Sequence, residues 1–298
     1  MSTISRVALS EQLAGSHPPI LIDVCPGEYF KAGHIRGAKN CCVYEVAFLD
    51  QIAHCVPDKS ASVVVYGSST HSLASATAQE KLTRAGYPHA LDYRGGLEDW
   101  QAAGLSIDSE APLPAPPKPR DGRHAVDIAK SRVQWTGRNI DGAHNGAIAL
   151  QSGWIEVTGD RATGQFIVDM NSIANTDLGD STLNGLLVAH LKGDDFFDTA
   201  QYPTATFDLR HVTLNHRAHP GSVNSDIDGS LTLKGVTESI GFPALIEARD
   251  GGALSAEAHF DINRTRWNVI YGSGKFYERL GQHIVHDIIS LSLHIVTD

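Results

Sequence analysis

From Ser109 to Arg120 the chain reads Ser-Glu-Ala-Pro-Leu-Pro-Ala-Pro-Pro-Lys-Pro-Arg, and no regular helix or sheet can run through it. Pro112, Pro114, Pro116, Pro117 and Pro119, five of the 13 prolines, fix φ and remove backbone donors, leaving an extended, semi-rigid spacer. The hydrophobic period differs on its two sides. The segment therefore predicts two domains, residues 1–107 and 124–298, joined by a linker over 108–123. At 298 residues the chain is long enough for each half to bury its own core.

Before the spacer, short apolar runs alternate with helical patterns. Pro19 to Val24 and Ser62 to Tyr66 are β-branched runs that predict buried parallel strands. From Ser72 to Ala85 alanine and leucine recur at helical spacing, and Gly86 ends the pattern as a C-cap glycine does. Leu91 to Arg94 predicts another strand, and Leu97 to Ala103 a short helix. Strand and helix in alternation predict an α/β sheet.

After the spacer the period becomes two. Phe166, Val168 and Met170 alternate with Gln165, Ile167 and Asp169; Ile227, Leu231 and Leu233 alternate with Asp228, Ser230, Thr232 and Lys234. The same pattern runs from Leu254 to Asn263 and from Ile289 to Ile295, and one helical stretch, Leu183 to Leu191, intervenes. Many strands with one apolar face and no helical layer to cover them predict an antiparallel sheet closed into a barrel or stacked as a sandwich.

The net charge of −10 makes a surface that repels phosphate backbones, so a nucleic acid partner is not expected. No apolar run approaches the roughly 20 residues of a membrane helix. Met1 to Arg6 lacks a basic stretch followed by an apolar core, which predicts no secretory leader and a cytoplasmic address. Cys25, Cys41, Cys42 and Cys55 show no paired metal spacing and are expected as free structural thiols.

Several segments of the first half resemble the rhodanese domain: Leu21 to Val24, Gly33-His-Ile-Arg-Gly-Ala-Lys-Asn40, Val63 to Tyr66, Ala85 to Tyr87 and Arg94-Gly-Gly-Leu-Glu-Asp-Trp100. The resemblance spans about residues 5–107 and implies a parallel-sheet fold with a thiolate nucleophile at the end of its central strand. Backbone N–H groups and a helix N-terminus lower such a thiol's pKa. Here that position is Gly67, and the loop continues through Ser68, Ser69, Thr70, His71 and Ser72. Ser72 and His71 offer no positioned nucleophile–base pair. The module is therefore expected to be inactive and to serve structure or a protein partner. Sulfur transfer or persulfide carriage through a displaced Cys25, Cys41 or Cys42 is the alternative.

The second half resembles the YceI-like family, whose members are lipocalin-like barrels holding polyisoprenoid or other long apolar molecules. The resemblance rests on Gly193 to Asp198 with Tyr202 to Phe207, on Asp228 to Thr237, on Asn263-Arg-Thr-Arg-Trp267 and on Tyr271 to Tyr277. It implies a carrier or sensor of an isoprenoid- or lipid-like molecule, with no cofactor and with a homodimer left open.

In a closed barrel the inward face of each strand supplies the expected ligand-facing residues. Phe166, Val168 and Met170 come first, then Phe207 and Leu209, then Leu231 and Leu233. Ala256, Ala258, Phe260 and Ile262 follow, and Leu291 and Leu293 complete the set. Ala205, Ala256, Ala258 and Gly229 are too small to fill a lumen, which predicts unfilled volume. A barrel plugged by its own side chains is the competing reading. Ten of the 15 histidines lie at or beyond His124, but their spacing matches no known metal ligand set, so no metal is expected. Arg264, Arg266 and Lys275 are expected either as ordinary surface charges or as groups facing a polar headgroup at the barrel mouth.

Overall fold

Ile20–Asp23 (β1) and Val63–Tyr66 (β4) are short, β-branched and buried on both sides, as strands at the centre of a parallel sheet must be. The computed structural model describes residues 2–298. It divides into two compact units at Pro116 and Pro117.

In the first unit the remaining elements are α1 (Arg6–Leu13), α2 (Gly27–Ala32), β2 (His34–Ile35), β3 (Lys39–Asn40), α3 (Phe48–Cys55), α4 (Ala74–Arg84), β5 (Ala90–Tyr93), α5 (Gly96–Ala102) and β6 (Ile107–Asp108). The parallel sheet has the order β3-β1-β4-β5, and β2 pairs separately with β6. Alternation decides which side each residue joins. Ile22, Val24, Val63 and Val65 meet Phe48 and Ile52 of α3 and Ala78 and Leu82 of α4. Leu21, Val64, Tyr66 and Tyr93 meet Leu9 of α1 and Trp100 of α5.

The spacer has firm ends. Residues 109–121 form neither helix nor strand, but Asp108 lies in β6 and the N–H groups of Glu110 and Ala111 donate to Lys31 O at 2.7 and 3.0 Å. In the second unit, Arg120 N–H donates to Gly252 O at 3.0 Å. Gly122 and Arg123 already belong to a strand, β7 (Gly122–Ala125).

Eight strands of the second unit close into an antiparallel barrel. They are β8 (Arg132–Arg138), β9 (Ala143–Thr158), β10 (Arg161–Asn175), β11 (Thr204–Leu214), β12 (Ser225–Leu233), β13 (Val236–Ala248), β14 (Leu254–Asn263) and β15 (Ile288–Val296). Each pairs with the next in sequence, and β15 returns to β8 through Ser290–Thr136, Leu291–Trp135 and Ser292–Gln134. Closure removes the open sheet edges, and β7 pairs with the far end of β9. Helix α6 (Ser181–Lys192) begins at Asp180, whose carboxylate accepts from the N–H groups of Thr182 and Leu183. It packs beside β10 and sends Leu187, His190 and Leu191 into one end of the barrel.

Candidate functional site: the barrel interior and the loop after β4

The period of two sends one face of every strand inward, and cross-strand register stacks those residues in rungs. Phe166 stands opposite Phe207, and Phe207 opposite Leu231. On the other side Phe260 faces Leu291, and Leu291 faces Trp135. These side chains do not fill the barrel. Two cavities remain, of about 250 and about 220 Å³. Val133, Val168, Leu231 and Leu291 line both, so the two are neighbouring lobes of the interior that adjoin at these four side chains.

All of the ligand-facing residues read from the sequence border one lobe or the other. Met170, Leu233 and Ile262 line the first lobe with Ala205. Phe166, Phe207, Leu209, Ala256, Ala258, Phe260 and Leu293 line the second. Residues absent from that reading also line the second lobe, among them a whole face of β13: Ile240, Phe242, Ala244 and Ile246. Phe242 and Phe260 stack there with centroids 3.9 Å apart and planes 5° apart. Period-two alternation in β13 was the available signal, and Pro243 in mid-strand obscured it. Gly229 departs from its expected role. A Cβ there would lie 2.4 Å from the Phe207 ring, so that ring already occupies the space the glycine leaves.

The two lobes differ in chemistry. The second is walled almost wholly by carbon and reaches the β9–β10 turn at Gly159 to Arg161. The first ends among polar groups, including Arg138, Asn139, His144, His190 and Arg264. His190 packs edge-on against Phe196 and Tyr271, at 5.6 and 4.5 Å between centroids. His144 Nδ1 lies 3.0 Å from Asp177 Oδ2. Burial works against ionisation of Asp177, but the Asn145 N–H, His144 and Asn175 outweigh it and hold the carboxyl below the usual carboxylate range.

Arg264 corrects the surface-charge reading. Its side chain is fully buried, and the guanidinium donates to the carbonyls of His286, Val269 and Val285 at 3.0, 2.6 and 2.9 Å. Burial lowers its pKa, and Asp287, 3.8 Å away, opposes that shift. Its partners lie on the segment that returns to β15, so the arginine ties that segment to the end of β14. Arg266 and Lys275 are exposed. Arg266 pairs with Glu238 at 2.8 Å, and the Lys275 ammonium stands 5.3 Å from the Phe276 ring. Among the described residues no group of three or more His, Cys, Asp or Glu side chains is placed to hold a metal ion, and no helix is long and apolar enough to cross a membrane.

In the first unit the loop Gly67 to Ser72 joins β4 to α4. Its carbonyls are engaged from α5: Leu97 N–H donates to Gly67 O and Glu98 N–H to Ser68 O, both at 2.9 Å. Gly96 permits this approach, with φ of +66° and space for a Cβ only 2.7 Å from Gly67 O. A Cβ on Gly67 would meet Ala74 Cβ at 3.4 Å and Ser75 N at 3.7 Å, facing the first turn of α4. His71 is exposed, and Ser72 Oγ accepts from Ala74 N–H at 3.2 Å.

The cysteines lie on other segments, and all four are free thiols. Burial, reinforced by the neighbouring Asp23, pushes the Cys25 thiol up to about 12. Burial, reinforced by Cys55, pushes Cys41 up to about 12 as well. Both shifts run against the thiolate that sulfur transfer requires.

Comparison with known proteins supplies the remaining findings. The YceI-like domain model matches residues 124–297, and the Rhodanese-like domain model matches residues 6–103. No curated protein matches the chain. Among solved structures the chain is similar to Burkholderia cenocepacia BcnA, at 26% identity over 58% of this chain and 99% of that one, with a TM-score of 0.44. It is similar at 17% identity to a polyisoprenoid binding domain from Saccharophagus degradans implicated in plant cell wall breakdown, over 59% of this chain and 97% of that one, TM-score 0.44. The first unit is similar to the Rhodanese_3 like domain of the Alr3790 protein from Anabaena sp., at 27% identity over 31% of this chain and 94% of that one, TM-score 0.28.

Proposed function

The chain belongs to the YceI-like family, and on that premise we propose that it is a binding protein whose barrel holds one long apolar molecule, isoprenoid- or lipid-like, along its two lobes. One observation carries this reading: the closed barrel leaves adjoining lobes of about 250 and about 220 Å³ with four lining residues in common. Ligand sites typically occupy about 300–1,000 Å³, and apolar cavities favour hydrocarbon over water. A chain spanning both lobes would pass Val133, Val168, Leu231 and Leu291, with its polar end towards Arg138, Asn139 and His144 of the first lobe. Transfer of each methylene from water is worth about 0.8 kcal/mol, so a chain of ten or more carbons has ample driving force even after the cost of ordering it.

The rhodanese-like unit, on this reading, serves the fold or a protein partner and performs no sulfur transfer. The rhodanese resemblance puts Gly67 at the position of the nucleophile, and burial disfavours the Cys25 and Cys41 thiolates.

Native mass spectrometry of the full chain, before and after organic extraction, tests the binding reading. Purified protein is expected to carry a hydrophobic adduct that extraction removes and that added long-chain isoprenoid or fatty acid restores. A chain that shows no adduct and takes up neither compound refutes it.

A further inference from the structure

We propose that Cys41 and Cys55 form a dithiol–disulfide couple in the first unit, Cys55 taking an oxidising equivalent from a hydroperoxide and Cys41 resolving it into an intramolecular disulfide. The two sulfur atoms lie 3.7 Å apart, in direct contact. Both are held by the fold. Cys41 follows β3, with its N–H donating to Asp23 O at 3.0 Å, and Cys55 ends α3, whose Phe48 and Ile52 are anchored in the core. A disulfide needs a separation of about 2.03–2.05 Å, so the sulfurs must close by roughly 1.7 Å.

The pair is asymmetric in a way that orders the chemistry. Cys41 is 1% exposed, whereas Cys55 is half-buried, so an oxidant from solvent meets Cys55 first. Lys39 Nζ donates to Cys55 O at 3.1 Å, and its charge offsets part of the upward shift that burial and the Cys55 contact impose on Cys41, which therefore keeps its proton until it attacks.

The balance is that of a two-electron oxidation. Cys55 sulfur attacks the terminal oxygen of the hydroperoxide; the S–O bond forms, the O–O bond breaks, and an alcohol (water, for hydrogen peroxide) leaves. Cys41 sulfur then attacks the sulfenic sulfur of Cys55. The S–S bond forms, the S–O bond breaks, and hydroxide departs as water with the proton of Cys41. A dithiol reductant reverses the result by exchange. The segment closed by the bond carries the exposed side chains of Tyr44, Val46 and Leu49, and oxidation restrains it.

The test treats the full chain with a small excess of hydrogen peroxide and reads thiols, peptides and melting. Free thiols are expected to fall from four to two, with a proteolytic fragment joining Cys41 to Cys55, a higher Tm, and full reversal by dithiothreitol. Cys55→Ser should keep its three remaining thiols free under the same treatment. Lys39→Met should reach the same product severalfold more slowly; an unchanged rate removes Lys39 from the account. Four thiols that stay free, a Cys25–Cys42 link, or bonds only between chains would each overturn the proposal. Peptide mapping of the unmodified chain decides the matter even where Cys55→Ser folds poorly.

Discussion

Ala258→Phe asks whether the second lobe is real space and whether a ligand uses it. Ala258 lies on β14 opposite Leu293, buried, with its methyl group on the lobe of about 220 Å³. An apolar cavity of about 150 Å³ accommodates a benzene molecule, so a phenyl ring fits and leaves roughly 70 Å³. Its burial contributes up to about 1.5–3 kcal/mol, against overpacking of about 1–3 kcal/mol where the ring strains its neighbours. The two nearly offset, and Tm should stay within a few degrees of the parent. Binding should not survive. A ring that excludes about four methylenes of a bound chain removes roughly 3 kcal/mol at about 0.8 kcal/mol each, which weakens affinity by about 200-fold. Titration of a fluorescent fatty-acid or isoprenoid probe, paired with thermal melts, reads both quantities. His259→Phe, one position along β14 on the outer face, is the control and should bind as the parent does. A folded Ala258→Phe with parental affinity would show that the ligand lies elsewhere, and a loss of several kcal/mol in stability would show that the lobe is already packed.

Three further perturbations separate the remaining claims. Gly67→Cys puts its Cβ at contact distance from the first turn of α4; it should alkylate faster than Cys25 and give weak thiosulfate:cyanide sulfurtransferase activity absent from the parent. Parental turnover abolished by replacing Cys25, Cys41 or Cys42 would instead locate a working nucleophile there. Arg264→Leu strips donors from three carbonyls, and at about 1–3 kcal/mol for each unsatisfied buried acceptor it should cost at least about 3 kcal/mol. That corresponds to a Tm drop of roughly 6–12 °C for a unit of this size, and an unchanged melt would show that solvent reaches those carbonyls. Burial raises the Asp23 carboxyl above its ordinary value despite the Cys25 N–H and Tyr66 hydroxyl beside it. Its contribution to stability is therefore full below the unfolded value of about 3.9 and declines as pH rises through the raised folded value. Asp23→Asn keeps an acceptor for Cys25 N–H and should flatten that decline, leaving the first unit more stable at neutral pH; identical pH profiles in chemical denaturation would refute it.

The barrel was legible where a strand has one neighbour on each side and an unbroken alternation. β12, β14 and β15 meet that condition, as does β10 from Phe166 to Met170 before its bulge, and their inward residues do line the lobes. β9 does not. It is shared among β7, β8 and β10 along its 16 residues, and its inward position Gly146 carries no side chain to reveal its face. A Cβ there would lie 2.3 Å from the Trp135 indole, so the interior at that rung is supplied by β8. Arg264 was illegible for a different reason. Local sequence shows a charge, and charge predicts exposure; the three carbonyls that satisfy it come from residues 5, 21 and 22 positions further along.

Whether the lumen is open could not be read from composition, because empty volume is set by what crosses the barrel and not by which residues are small. Gly229 and Gly153 are the smallest residues possible, yet Phe207 covers the first, and Val126 and Phe166 crowd the second at 2.9 and 3.1 Å. Ala205, Ala256 and Ala258 are larger, yet they border the cavities. The phenylalanines decide the difference. Phe207 leans over Gly229, while Phe242 and Phe260 lie flat on one another at 3.9 Å. Stacked in parallel, those two rings contribute a flat wall where rings crossing the barrel would have closed the lobe.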